Sequence, residues 1–348
     1  MPLIELNTEA VKECPLCGSL EHDQFDRVVD TLMKEINRYL PGGMAQLPVD
    51  VENVRHRCRE CELIFLGQRF DSTSLSRVYE LWYGYAYRRV MADPQHVAER
   101  LREFEQHHLR LLETYCAPPG RLLDVGCGSG LFLQLAQTRG WCVSGVELDP
   151  DTAAWGRRNG IADIRCGTLA MTLAPDEYFD VVTLFDYLEH TTTPGEDLDS
   201  LIAHLAPGGT LMVRVPNANG WQARRMGRNW IAVMSTHLSY FTPEVLSKAA
   251  SQRGLEILYL RAGNTRSEGD ILRHQAAWLR QRLAPRRSAV TGSAAQHQVE
   301  EVPQAPLGNL GGAAKRWLYS LWIEQIDHIG GWLGQGNNLT LIARKVKH

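Results

Sequence analysis

From residue 121 to the end, the chain alternates two kinds of hydrophobic pattern. Short apolar runs recur as RLLDVG (121–126), WCVSGVEL (141–148), DIRCGT (163–168), FDVVTLFDYL (179–188), GTLMVRVP (209–216), LEILYLRA (255–262) and NNLTLIARK (337–345). Runs this short, rich in Val, Ile and Leu, predict strands. Between most of them, apolar residues return every three or four positions, as in LFLQLAQTRG (131–140), PDTAAWGRRNG (150–160), EDLDSLIAHLAPGG (196–209) and TPEVLSKAASQRG (242–254). That spacing predicts helices, and a glycine lies near the C-terminal end of the last three. Strand–helix alternation predicts an α/β fold: a seven-stranded, mostly parallel sheet of Rossmann-like type, covered on both faces.

The rest of the chain departs from this rhythm. Residues 71–118 read as a helical segment rich in Arg, Glu and aromatic side chains, ending at Pro118-Pro119-Gly120. Residues 1–70 carry two Cys-x-x-Cys pairs and read as a small separate unit. The division expected is therefore a ribbon over 1–70, a helical segment over 71–118 and a core over 119–348. An insertion at 264–335 parts the last two strands. In it DILRHQAAWLRQRL and AAKRWLYSLWIEQIDHIGGWL have amphipathic spacing, and the small, polar stretch between them reads as a linker.

Composition narrows the function classes. Among 348 residues, 44% are hydrophobic and 22% charged, as in ordinary globular proteins, and the formal net charge is -3. That near-neutral charge and the lack of a continuous basic face argue against nucleic-acid binding. No apolar run reaches the roughly 18–20 residues needed to cross a bilayer, and the first residues do not resemble a signal peptide. The expectation is a cytoplasmic protein, in which eight cysteines suggest free thiols and a metal site rather than disulfides.

The stretch LLDVGCGSG (122–130) joins the first core strand to a helix. Gly126, Gly128 and Gly130 allow a sharp turn and a close approach of ligand to backbone, and the helix that follows aims free N–H groups at it. A nicotinamide loop would read Gly-x-Gly-x-x-Gly and seat a pyrophosphate, which Asp124 would repel. An amine-bearing or cationic ligand suits that acid. Glu147 ends the second strand, where a carboxylate can take both hydroxyls of a ribose. With these residues the sequence resembles the class I S-adenosylmethionine-dependent methyltransferases. FDVVTLFDYLEHTTTP, LAPGGTLMVRVPN and HLSYFTPEVLSKAASQRGLE strengthen the likeness, which covers about 120–262 and resumes at 336–346. The resemblance implies S-adenosyl-L-methionine as cofactor, held by Asp124, Gly126, Cys127, Gly128, Gly130, Glu147, Leu148, Thr168, Leu169, Phe185 and Asp186. An Asp usual after the third strand is replaced here by the run Cys166-Gly167-Thr168-Leu169.

An acceptor in such a sheet lies beyond the C-terminal strand ends. The residues expected there are Tyr187, Glu189 and His190, with His237 and Tyr240 next. An imidazole suits general-base duty near neutral pH, so His190 is the first candidate for removing a proton from the acceptor. Glu189 is placed to orient a hydroxyl or a histidine, and Tyr187 to hydrogen-bond the acceptor.

Cys14-x-x-Cys17 and Cys58-x-x-Cys61 supply four thiolates, the ligand set of a closed, structural Zn2+ site. Residues 18–57, which separate the pairs, are long for a zinc ribbon, and His56 is a competing ligand. The zinc motif, core and Tyr-x-Glu-His run together resemble nucleotide-sugar C-methyltransferases and related enzymes of polysaccharide and secondary-metabolite pathways. In that group the aromatic stretch Tyr79 to Tyr87 closes over the cofactor. The group carries a further C-terminal domain, whereas this chain is expected to end with the core. The resemblance implies methyl transfer to a small polar acceptor such as a nucleotide-linked sugar, at carbon or oxygen. O-methylation of a lipid or surface glycan is a second reading. A non-catalytic cofactor-binding scaffold, or a recognition module built on the ribbon, is a third. Arg224, Arg225 and Arg228, with Arg280, Arg282, Arg286 and Arg287 in the insertion, suit phosphate groups or a solvated helix face. The helix of Trp317, Trp322 and Trp332 suits peripheral membrane contact, core packing or an oligomer contact.

Overall fold

The computed structural model describes residues 3–29, 52–230, 232–263 and 336–346, with 33, 36–37, 40, 44 and 46–48. The insertion at 264–335, with its arginines and tryptophans, lies outside the described residues.

Thirteen strands are defined among them: β1 Thr8–Ala10, β2 His22–Val29, β3 Glu52–Cys58, β4 Ile64–Leu66, β5 Gln68–Phe70, β6 Arg121–Val125, β7 Cys142–Glu147, β8 Ile164–Cys166, β9 Phe179–Phe185, β10 Leu205–Pro216, β11 Ser239–Tyr240, β12 Leu255–Gly263 and β13 Asn338–Lys345. Seven form the central sheet in the order β12-β13-β10-β9-β6-β7-β8. Strands β8, β7, β6, β9 and β10 run parallel, while β13 is antiparallel to both of its neighbours. The order reverses at β6, whose neighbours β7 and β9 come from opposite halves of the chain. That opens a crevice beyond its C-terminal end, where ligands bind in open α/β sheets.

The strands are buried on both faces, and their alternation decides which core each side chain joins. Leu123, Val125, Val182, Leu184, Leu211 and Val213 enter one apolar cluster. Leu122, Val181, Phe185, Met212 and Ile342 enter a second one on the opposite face. Burying a side chain of this kind contributes about 1.5–3 kcal/mol. Helices Leu131–Thr138, Pro150–Arg158, Pro194–Ala203 and Pro243–Gln252 fall where the periodicity puts them. Asp149 and Thr242 cap two of them by accepting the N–H of Thr152 and Val245. The expected helix over 196–209 stops earlier, at Ala203, because Leu205 already pairs with Phe179 as β10 begins.

Within the segment read as 71–118, residues 72–91 and 94–113 are helical, with a break at Ala92 and Asp93, where Asp93 caps the second run by accepting the Gln95 N–H. Two π-helical turns interrupt them, at Trp82–Tyr87 and Phe104–Leu109. The N-terminal sheet has the order β11-β4-β3-β2. Its strand β11 comes from far along the chain and pairs through Ser239 with Phe65 and through Tyr240 with Ile64. Further bonds hold the cysteine loops to the core: Lys248 Nζ donates to the Glu60 carbonyl at 2.5 Å, and Gly195 N–H to the Pro15 carbonyl at 3.2 Å.

Candidate active site

The glycine loop turns back on itself at the crevice. Gly126 N–H donates to the Val146 carbonyl at 2.8 Å, and Gly128 N–H to Glu147 Oε2 at 2.8 Å. Gly126 and Gly128 have φ of +70° and +55°, which L side chains rarely adopt. A Cβ on Gly126 would sit 3.0 Å from the Tyr187 ring, and one on Gly128 would sit 3.0 Å from the Tyr87 hydroxyl. The loop thus lies beneath two aromatic side chains with no room to thicken.

Two acids flank it. Asp124 is buried and accepts a hydrogen bond from Thr183 Oγ1 at 2.7 Å. Burial pushes its carboxyl up to about 7, with the nearby Glu147 adding to the effect. Glu147 is also buried and pushed up by desolvation. It accepts N–H bonds from Gly128 and, at 2.9 Å, from Asp149. Beyond Glu147, Leu148 and Met171 are exposed apolar side chains. Glycine-lined backbone, a carboxylate at the end of β7 and apolar surface next to it fit the methionine, ribose and adenine parts of S-adenosylmethionine.

The other predicted cofactor residues divide. Thr168 is exposed and Leu169 buried, at the start of the short helix Leu169–Thr172. Cys127 is buried, its Sγ 2.7 Å from where a Cβ on Gly145 would fall. Phe185 points into the core, its ring 4.8 Å from those of Phe132 and His108.

The expected extension of the fourth core strand through residue 188 gives way to a turn after Phe185. Asp186 has φ +53°, and His190 N–H closes the turn on the Tyr187 carbonyl at 2.9 Å. The cause is a buried salt bridge that sequence reasoning missed. Arg214, on β10, donates through Nη2 and Nε to Asp186 at 2.7 and 3.1 Å. Its Nη1 donates to Glu103 Oε1 at 2.8 Å and to His108 Nε2 at 3.1 Å. An arginine inside the apolar run LMVRVP was the available signal, because a charge in a buried strand needs a partner. Tyr187, expected to reach the acceptor, instead donates its hydroxyl to Asp197 at 2.9 Å and lays its ring against Gly126.

Glu189, His190 and His237 come together, with one donor atom of each within 4.8 Å of the others. The two imidazole centroids lie 4.6 Å apart, edge to face. His190 Nδ1 is 2.9 Å from the Thr236 carbonyl, and His237 Nδ1 is 2.8 Å from the Ala232 carbonyl. A carbonyl only accepts, so both Nδ1 atoms carry the proton and both Nε2 atoms keep a lone pair. Burial lowers both imidazole pKa values, so both rings stay neutral. Glu189 is buried, and neither carboxylate oxygen has a partner among the described residues. Burial, then the charge of Asp186, pushes its pKa well above the ordinary value. Tyr240 is buried at the ribbon side, its ring under the Arg55 guanidinium. The helix of the tyrosines spans both ends of the site. Tyr79 hydroxyl lies 3.2 Å from His190 Nδ1, and Tyr87 hydroxyl donates to Ser129 Oγ at 3.3 Å.

The four cysteines also cluster. Cys14 Sγ is 3.4 Å from Cys61 Sγ, and Cys17 Sγ is 3.6 Å from Cys58 Sγ. Tetrahedral Zn2+ with Zn–S bonds of about 2.3 Å needs sulfurs roughly 3.8 Å apart, so the set fits that ion. His56 is outside the cluster: its Nδ1 faces His22 Nδ1 at 2.8 Å.

Residues 96–260 match the family model of a methyltransferase domain. The chain is 32% identical over 127 residues to a ubiquinone biosynthesis O-methyltransferase of Bradyrhizobium sp. (strain ORS 278), covering 35% of this chain and 48% of the relative. It is 26% identical over 149 residues to the enzyme of the same name from Aeromonas salmonicida (strain A449), covering 39% of this chain and 62% of the relative. The chain thus spans about half the length of the curated relatives it matches. Among solved structures, a SAM-dependent methyltransferase from Archaeoglobus fulgidus aligns at TM-score 0.44 and 18% identity, over 71% of this chain and 94% of that one.

Proposed function

Because residues 96–260 match the model of a methyltransferase domain, we propose that the chain transfers the methyl group of S-adenosylmethionine to a hydroxyl oxygen of a small molecule. The observation that carries the reading is the glycine loop with Asp124 and Glu147 at the ends of adjacent strands β6 and β7. Gly126, Gly128 and Gly130 border the methionine part, Glu147 holds the ribose, and Leu148, Thr168, Leu169 and Met171 border the adenine. The cofactor supplies an electrophilic methyl on a sulfonium. The protein aligns the acceptor in line with that methyl and takes up the proton that the acceptor gives up. His190, Glu189 and His237 form the acceptor end, where a neutral imidazole with a free Nε2 lone pair suits proton removal. Oxygen is favoured as the acceptor atom by the curated relatives, which are named O-methyltransferases. The two cysteine pairs and the Tyr-x-Glu-His run favour a second reading, methylation of a nucleotide-linked sugar. The four cysteines hold a structural Zn2+ in either case.

The test incubates the purified protein with methyl-labelled cofactor and a small-molecule extract, beside His190→Ala. Label in a small-molecule fraction, falling about 100-fold or more in the variant with cofactor affinity retained, is expected. Acid-labile label marks an ether or ester, and label that survives hydrolysis marks carbon. Absence of cofactor binding sinks the proposal.

A further inference from the structure

We propose that Glu189, His190 and His237 form a second metal site, which holds a divalent transition-metal ion at the acceptor end of the pocket. The inference rests on reading that corner as the acceptor site; with the ion bound, His190 Nε2 is a ligand and no longer the proton acceptor proposed above. Three observations converge on it. First, one potential donor atom of each residue already lies within 4.8 Å of the others. Donors about 2.1 Å from a tetrahedral ion sit roughly 3.4 Å apart, so binding would draw the three groups closer together. Second, both imidazoles are prepared as ligands. Each Nδ1–H is anchored on a backbone carbonyl, Thr236 for His190 and Ala232 for His237, which fixes the tautomer and leaves Nε2 to coordinate, as ligating histidines do. Third, the Glu189 carboxylate is 1% exposed and lacks a hydrogen-bond partner among the described residues. A buried polar group without a partner costs free energy, and a cation would supply what two neutral imidazoles and a buried carboxyl leave unmet.

Other charges near the corner do not oppose an ion. Arg214 faces Asp186 and Glu103 and is neutralised by them, and Tyr79 reaches the protonated side of His190. Two nitrogens and one carboxylate oxygen suit Zn2+, Co2+, Ni2+ or Fe2+ rather than Mg2+ or Ca2+. Three protein ligands leave positions open for an acceptor hydroxyl, which an ion acidifies.

The experiment saturates full-length protein with Zn2+, removes free ion by gel filtration and measures bound zinc per chain by plasma mass spectrometry. His237→Ala and Glu189→Gln run in parallel, and calorimetry measures S-adenosylmethionine binding to each. The expected result is one ion fewer per chain in both variants than in the parent. Glu189→Gln preserves shape, and an unchanged circular dichroism spectrum confirms its fold. Equal zinc content in the parent and both variants overturns the proposal. Cofactor binding with equal zinc would leave the methyltransferase reading standing. An ion lost from the variants in a protein that binds no cofactor would overturn that reading and keep the site.

Discussion

Asp124, proposed above to flank the cofactor, carries a cost in stability. Its carboxyl is wholly buried and held by one hydroxyl donor, Thr183. With its pKa moved from 3.8 to about 7 in the folded chain, the fold binds a proton that the unfolded chain releases. The stability tied to that proton is complete below pH 3.8, falls as pH rises, and is gone above about 7. Each pH unit in that window is worth about 1.4 kcal/mol, so the whole is about 4 kcal/mol. Asp124→Asn has no proton to lose. Denaturant unfolding without cofactor should therefore show the variant gaining about 4 kcal/mol relative to the parent between pH 4 and pH 8. A difference that stays constant over that range would mean Asp124 titrates normally. A cationic cofactor beside the carboxylate should restore its charge, so the parent should gain more from S-adenosylmethionine at pH 8 than the variant does.

Arg214 belongs to the scale of elements, because it binds three of them. It joins β10 to the turn after β9 through Asp186, and to helix Pro94–Glu103 through Glu103. It thereby fixes the backbone that presents Tyr187, Glu189 and His190. Removing one partner of a buried ion network strands the others, at about 3–5 kcal/mol. Arg214→Met is expected to lose that much in urea unfolding. If β6 and β7 hold the cofactor as proposed, its affinity should change less than turnover does. Equal losses in affinity and turnover would mean that the arginine supports the whole sheet rather than this turn. This network also marks how far the sequence could be read. The seven strands and their burial were legible because alternation and apolar runs are local signals. So was the glycine loop, whose spacing lies within nine residues. The end of β9 was not, because FDVVTLFDYL continues as an apolar run, and only Arg214, 28 residues from Asp186, breaks it. The fate of the Tyr187 hydroxyl, taken by Asp197, was hidden for the same reason. Both are choices among partners that tertiary packing makes.

At the scale of the whole molecule, the cysteine cluster and the Glu189–His190–His237 corner are joined by one sheet. Cys58 ends β3, β3 pairs with β4, and β4 pairs with β11, which starts two residues after His237. Leu66 N–H donates to the Leu238 carbonyl at 3.0 Å, and Leu238 N–H to the Glu189 carbonyl at 2.6 Å. An element read as a separate N-terminal unit therefore shares its sheet with the segment that carries His237. Nothing local announces this, since β11 is two residues long and its partner lies about 170 positions earlier. The consequence is testable. With Zn2+ in the cysteine cluster, Cys58→Ser should reduce bound metal and lower unfolding free energy by about 4 kcal/mol or more, the range seen when a structural metal is lost. Amide exchange should localise the damage. Protection at Leu238 and Ser239 should fall with that of β3 and β4, while protection in β6 and β7 and the affinity for S-adenosylmethionine hold. Exchange confined to residues 1–70 would show instead that the ribbon opens by itself, and that β11 keeps His237 in place without it.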